Sequence, residues 1–186
     1  MDKVRVRGIR EITQEHIAKA NEMGARVRLV ARAVLPEDGC VCLSVEPDYV
    51  RRDNPLYGVD DVFNAVSVTG DSVGEVMFYG KGAGKLPTAS AVVSDVIDAV
   101  KNAGRHVPII WEDEELEMGT FADSESRFFV RTDEKNEAAI KAVFGDVEYV
   151  DSDLDEKAFV TAVITEGEFE ACCNKIGVKS ALRVLD

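Results

Sequence analysis

The sequence is poor in the features that mark secreted, metal-stapled or membrane-spanning proteins. Its 186 residues include four cysteines, five prolines, two histidines and one tryptophan. The cysteines stand as Cys40-x-Cys42 and Cys172-Cys173. Zinc sites favour C-x₂₋₄-C pairs, because two or more intervening residues let both thiolates reach one tetrahedral ion. These four read instead as reduced, structural thiols, the first pair on one face of a strand and the second on a helix, facing different directions. No run of about 18 apolar residues exists, which excludes a membrane-spanning helix. Met1-Asp2-Lys3-Val4-Arg5-Val6-Arg7 has no apolar core of a signal peptide, so the cytoplasm is the expected location.

Positive charge is also scarce. Lys and Arg number 22 against 35 Asp and Glu, a net charge of −13. A chain this acidic repels nucleic acid and anionic lipid, so neither a nucleic-acid nor a membrane partner is expected. The deficit is uneven. Residues 1–104 carry 13 basic and 15 acidic side chains, and residues 105–186 carry 9 and 20. That division is a first sign of two domains. The histidines, His16 in a surface helix and His106 in a linker, have no Ser or Cys in a triad-like context, which argues against a catalytic histidine.

What is present suits a soluble globular chain: 46% of residues are hydrophobic and 31% charged, enough apolar side chains for a core. Lys3–Arg7 alternates as a strand. Thr13 is placed to cap a helix that Gly24 ends. Val27–Leu35 and Cys40–Val45 read as strands joined by the turn Pro36-Glu37-Asp38-Gly39. Val50–Gly58 reads as a loop or short helical turn. Val62–Thr69 and Glu75–Tyr79 read as a hairpin. A helix from Pro87 to Ala103 follows, with Val92, Val96, Ile97 and Val100 on one face. Residues 105–124 read as a linker, including the acidic run Glu112–Glu117, which suits a solvated face better than a metal site. From residue 125 the expected order is strand Arg127–Thr132, helix Glu134–Phe144, strands Asp146–Val150 and Ala158–Thr165, helix Glu168–Ile176 and strand Ala181–Leu185. That is βαββαβ, the ferredoxin-like order. The expected class is α+β, with a mixed-sheet portion at 1–104 followed by a small ferredoxin-like domain at 125–186.

The richest chemical signal is Gly80-Lys81-Gly82-Ala83-Gly84-Lys85, directly before the Pro87 helix. Glycines there let a backbone approach a phosphate or a flat cofactor, and a helix N-terminus supplies unpaired N–H groups. The spacing fits neither standard phosphate template. A P-loop would need glycine at Tyr79 and Ser or Thr at Leu86, and a Rossmann fingerprint would need glycine at Lys85. A tight strand-to-helix turn explains the glycines equally well. Lys81 and Lys85 can pair with a cofactor phosphate or simply face solvent.

A longer pattern carries a resemblance. Asn54-Pro55-Leu56-Tyr57-Gly58-Val59, Val62-Phe63-Asn64-Ala65-Val66, the run from Gly70-Asp71 through Gly74-Glu75-x-Met77-Phe78-Tyr79-Gly80 to Gly84, and Leu86-Pro87-Thr88-Ala89-Ser90-Ala91-Val92-Val93 strongly resemble homoserine dehydrogenase. Val6-x-Gly8-Ile9-x-x-Ile12-Thr13 is similar to that family's catalytic domain too. The likeness covers about residues 4–103.

The resemblance implies NAD(P)-dependent interconversion of L-homoserine and L-aspartate 4-semialdehyde, on the route to threonine and methionine. It implies NADP or NAD as cofactor, a homodimer, and an ACT-like regulatory domain at 125–186 with an amino-acid effector such as threonine. Gly84 matches the late glycine that touches the cofactor, with Gly82, Ala83 and Thr88 beside it. The family's catalytic lysine, its substrate-binding carboxylates, its metal-binding loop and its Rossmann half precede the part that matches. The expectation is therefore a C-terminal fragment with no catalytic residue of its own, inactive alone. The turn Thr132-Asp133-Glu134-Lys135-Asn136 lacks the glycine and proline usual at an ACT effector site. A stand-alone ACT-bearing sensor or docking module is the alternative.

Overall fold

The computed structural model describes residues 4–35, 39–105, 108, 110–111, 113, 115–151 and 155–186. In chain order the elements are β1 (Arg5–Val6), α1 (Gln14–Glu22), β2 (Ala25–Val34), β3 (Cys42–Arg51), β4 (Phe63–Gly70), β5 (Gly74–Lys81) and α2 (Lys85–Lys101). They continue as β6 (Glu125–Thr132), α3 (Glu137–Phe144), β7 (Val147–Val150), β8 (Lys157–Thr161), β9 (Ile164–Thr165), α4 (Glu166–Cys173) and β10 (Val178–Leu185). This is the expected α+β architecture with a mixed sheet. No described helix is long and apolar enough to cross a membrane. The expected turn at 36–38, His106, and Glu112 and Glu114 of the acidic run lie outside the described residues.

The chain forms two compact units, Met1–Tyr57 with Leu116–Asp186, and Gly58–Glu115. This division cuts across the boundaries expected at 104 and 125. The reason is β3. Along its first half β1 runs parallel beside Ser44 and Val45, and along its second half β10 runs parallel beside Tyr49 and Val50. All ten residues of β2 pair antiparallel on its other edge. The C-terminal segment therefore adds its sheet, in the order β10-β6-β8-β7, directly to the N-terminal strands. That order, with α3 and α4 as crossovers, is the ferredoxin-like arrangement read from the sequence. The stretch expected as linker is also tied in. Phe121 is buried, and Met118 bridges Val41 in a parallel β-bridge.

The sheet is covered on both faces, so its central strands are apolar at consecutive positions instead of alternating. On one face Tyr49, Phe129, Val160, Leu182 and Val184 pack with Ala20 of α1. On the other, Phe128, Val130 and Phe159 pack with Ile140 and Phe144 of α3 and Phe169 of α4. Phe128 stacks on Phe169 with ring centroids 3.9 Å apart, and Tyr49 meets Phe129 edge-on at 5.1 Å. Tyr49 also donates its hydroxyl to the His16 carbonyl at 3.1 Å, which fastens α1 to the sheet.

At the β3–β10 junction the interior is ionic. Arg183 of β10 bonds Glu46 of β3 at 2.6 Å and also Glu166 of α4. Arg5 of β1 reaches the same two carboxylates, and the Arg183 guanidinium lies 5.7 Å from the Phe121 ring centroid. Burying charges is unfavourable unless they are paired, and these pairs span β1, β3, β10 and α4.

Candidate functional site

The Gly58–Glu115 unit carries the glycine-rich turn. Its β4–β5 hairpin is in register from Phe63↔Lys81 to Gly70↔Gly74. Phe63 and Tyr79 stack nearly flat, with centroids 4.7 Å apart, and Lys81 Nζ lies 5.5 Å from the Phe63 ring centroid. Beyond Lys81 the chain turns through Gly82 and Ala83 into Gly84, which caps α2 at φ 110° and ψ 156°. A side chain rarely adopts that φ, so glycine is required by conformation. Gly82 is required by space, because a Cβ there would land on Asn64 Nδ2. The helix begins at Lys85, two residues before the expected Pro87, and Pro87 falls where a missing N–H costs nothing.

The first turn of α2 has a defined set of donors. Thr88 donates its backbone N–H to the Gly84 carbonyl at 3.1 Å and its hydroxyl to the same oxygen at 2.9 Å. Pro87 has no N–H. Lys85 and Leu86 therefore hold the N–H groups with no acceptor in the helix, and Gly84 has no side chain to cap them. With the positive end of the helix and the ammonium groups of Lys81 and Lys85, the turn can receive an anion or a polarised carbonyl. Gly82, Ala83, Gly84 and Thr88 come together simply because they are one turn. They offer backbone shape and donors, and no general acid or base.

Other sequence-singled residues take structural places. Asn54 of the Asn-Pro-Leu-Tyr run accepts the Leu56 N–H at 2.9 Å and donates its amide to the Asp186 carbonyl at 3.0 Å. Cys42 donates to the Thr120 carbonyl at 3.0 Å and Cys172 to the Val143 carbonyl at 3.1 Å. Burial pushes the Cys173 thiol up to about 11, with the neighbouring Cys172 and Glu170 adding to the shift. His16 is not a surface residue. It is 6% exposed and closes a capping box with Thr13, accepting that residue's N–H at 3.1 Å on Nδ1. Sequence reading missed this because a box normally carries Glu or Gln at that position. In the turn after β6, the Glu134 N–H is bonded to Thr132 Oγ1 and the Asn136 N–H to Glu134 Oε1. Asn136 itself caps α3 through the Ala138 and Ala139 N–H groups.

Comparisons with known proteins agree with the motif reading. The homoserine dehydrogenase family model matches residues 1–97. The homoserine dehydrogenase of Bacillus subtilis is 42% identical over 103 residues, 55% of this chain and 23% of that protein. That of Synechocystis sp. is 45% identical over 102 residues, 53% of this chain and 24% of that protein. The crystal structure of S. aureus homoserine dehydrogenase at pH 7.5 superposes with a TM-score of 0.77 and 30% identity, over 99% of this chain and 48% of its own. The chain thus spans about half of that solved chain, and its matched stretch about a quarter of the curated relatives. By the match to more than half of its length, it belongs to the homoserine dehydrogenase family.

Proposed function

We propose that this chain serves as the C-terminal part of a homoserine dehydrogenase that interconverts L-homoserine and L-aspartate 4-semialdehyde, and that it has no turnover by itself. The observation that carries this reading is the turn from Gly80 to Thr88, set within the stretch that matches the family. Its shape suits a nicotinamide dinucleotide. Gly84 brings backbone close without a Cβ, and the Lys85 and Leu86 N–H groups stand ready for an oxygen of the ligand. NADP or NAD, when bound, supplies or takes up the hydride. The chain's own residues orient: Gly82, Ala83 and Gly84 as backbone surface, Thr88 by holding the Gly84 carbonyl in place. The proton on the substrate oxygen must be handled by a group outside this turn, and the family resemblance assigns it to an upstream lysine.

In the same reading residues 125–186 form an ACT-like domain and the protein is a homodimer. The bonded N–H groups of Glu134 and Asn136 favour a role in assembly over direct capture of threonine at that turn. The test is homoserine-dependent NAD(P)H formation by the chain alone and by the chain mixed with a separately expressed upstream half of a relative. Activity only in the mixture is expected. Activity of the chain alone would place the proton donor within these residues and overturn the reading.

A further inference from the structure

The chain re-enters the unit of Met1–Tyr57 and Leu116–Asp186 at Leu116, and just beyond that point it is tied down beside two cysteines. The Val41 N–H bonds the Glu117 carbonyl at 2.7 Å, and the Gly119 N–H bonds the Val41 carbonyl at 3.0 Å, which makes the parallel bridge between Val41 and Met118. Cys40 and Cys42 flank Val41, and both lie against Gly119. A Cβ built on Gly119 would stand 2.9 Å from Cys40 Cβ and 3.1 Å from Cys42 Sγ. The two cysteine side chains therefore converge on one spot, and residue 119 is glycine because they fill it. Cys42 is buried and donates its thiol to the Thr120 carbonyl at 3.0 Å, while Cys40 is half-buried. None of the four cysteines is in a disulfide.

The spacing suits a bond between these two sulfurs. Residues two apart on an extended chain have Cα atoms about 6.6 Å apart. A disulfide spans Cα separations of about 4.4–6.8 Å, with the Cβ atoms about 3.5–4.5 Å apart. Drawing the Cβ atoms together bends the chain at Val41. The β2 ladder ends at Val34↔Cys42 and the β1 ladder begins at Ser44, so among the described residues the Met118 bridge is what opposes that bend. Cys172 and Cys173 have no such arrangement. They are neighbours on α4 and face different directions, Cys172 donates to the Val143 carbonyl at 3.1 Å, and burial keeps the Cys173 thiol protonated.

We propose that Cys40 and Cys42 form a thiol–disulfide switch, oxidised by a small disulfide such as glutathione disulfide, that unties residues 117–120 from Val41. Cys40, the more accessible thiol, attacks first as thiolate. Its sulfur bonds one glutathione sulfur, the glutathione S–S bond breaks, and one glutathione thiolate leaves. Cys42 then gives up its proton and attacks the Cys40 sulfur, and the second glutathione leaves. Two cysteine thiols are oxidised, one glutathione disulfide is reduced to two thiols, and the two cysteine protons go to them. The closed pair has no S–H for the Thr120 carbonyl and bends Val41 away from Glu117 and Gly119. The segment released leads directly into Phe121, whose buried ring lies 5.7 Å from the Arg183 guanidinium. A disulfide closed against such a bridge is strained and easily reduced again, which is the character of a regulatory bond and not of a structural one. The inference does not rest on the dehydrogenase reading, and its test requires no turnover.

The test treats the reduced full chain with excess glutathione disulfide, maps its disulfides by peptide mass spectrometry, and follows amide hydrogen exchange before and after. A Cys40–Cys42 bond is expected, with two hydrogens lost. Exchange at the Val41 and Gly119 amides should quicken about tenfold or more, while the paired amides of β6 and β10 keep their protection, and dithiothreitol should reverse the change. Cys42→Ser retains a hydroxyl donor for the Thr120 carbonyl but has no second sulfur. That variant should stop at a glutathione adduct on Cys40 and keep Val41 and Gly119 protected. Should Cys42→Ser fail to fold, the wild-type disulfide map and exchange still decide. The proposal is overturned if the wild-type chain stays reduced or stops at the glutathione adduct, or if its disulfide joins Cys172 to Cys173 or two chains to each other. It is equally overturned if the Cys40–Cys42 bond forms and exchange at Val41 and Gly119 does not change.

Discussion

Asp48 Oδ1 lies 3.8 Å from Arg183 Nη1, and among the described residues that oxygen accepts no hydrogen bond although both side chains are almost wholly buried. Burial, with the like charge of Glu46, raises the Asp48 carboxyl to about 7 against the pull of Arg183, Arg32 and Arg5. In the unfolded chain the same group ionises near 3.8. Between those values the folded state holds a proton that the unfolded state has released, so this residue makes stability fall as pH rises. The loss begins near pH 4, is complete above about pH 7, and is on the order of 4 kcal/mol at full linkage. Asp48→Asn removes that dependence. The difference in urea midpoint between variant and wild type should grow in the variant's favour from pH 5 to pH 8. A variant less stable than wild type at pH 8 contradicts the assignment.

Arg183 should be the least replaceable cation in the chain. Among the described residues, removing it with Arg183→Met leaves Glu46 with only a 3.5 Å contact to Arg5, and deprives Glu166 of one of its two guanidinium partners. Breaking a buried pair by deleting one partner costs about 3–5 kcal/mol. Chemical denaturation at pH 7 should register a loss of that size. Double replacement with Glu46→Gln should recover part of it, because one stranded carboxylate goes with the arginine. A loss below about 1 kcal/mol in the single variant would mean that water reaches the cluster.

These ionic contacts explain what could and could not be read from the sequence. The helix over Thr13–Gly24, the β4–β5 hairpin and the βαββαβ order announce themselves through caps, turns and apolar periodicity, all of which are local. The charged residues of Leu43–Arg51 do not. Glu46 and Asp48 on a strand suggest a solvated face, and only pairing with Arg183, 135 or more positions away, makes them interior. The same non-local pairing joins the C-terminal sheet to β3, so compact units and sequence boundaries differ. At the glycine-rich turn, Gly84 was legible as a backbone requirement. The reason for Gly82, the approach of Asn64 from the paired strand, was not.

His16 gives the opposite pH dependence to Asp48. Its folded value lies below 6.5, from burial first and then the charges of Arg131 and Arg7, while Glu15 and Glu156 oppose the shift. The unfolded chain binds the proton first as pH falls, so the stability His16 contributes is present above about pH 6.5 and lost below it. Proton NMR should resolve two histidine resonances, since the chain has two. The one removed by His16→Glu should titrate below 6.5. A midpoint at or above 6.5 for that resonance would show the Thr13 box to be open in solution.

Gly82 and Asn64 should behave as a coupled pair. Gly82→Ala places a methyl on the Asn64 side chain, and Asn64→Ala clears the space. Hydrogen exchange at β4 and β5 should show local opening made easier by Gly82→Ala, by about 1 kcal/mol, with most of that recovered in the double variant. Gly84→Ala should not be rescued by Asn64→Ala, because its difficulty is the backbone angle of 110° and not a neighbour. Equal rescue of both would remove the distinction between the two glycines.

The outer stripe of α2 offers the sharpest separation of folding from function. Val93, Val96, Ile97 and Val100 recur at helical spacing and are 56%, 58%, 48% and 71% exposed. No residue of α2 is buried. An apolar stripe of this kind normally faces a partner surface, and replacing exposed residues changes stability by about 0.5 kcal/mol or less. The pair Val96→Glu and Val100→Glu should therefore leave the chain's denaturation curve in place and reduce its tendency to self-associate. In the mixture with an upstream half, the same pair should abolish the recovered dehydrogenase activity, while Asp95→Asn, a change on the same helix, should not. Full activity with both glutamates present would mean that α2 stays uncovered in the assembled enzyme, and that the exposed stripe has some use other than joining the two halves.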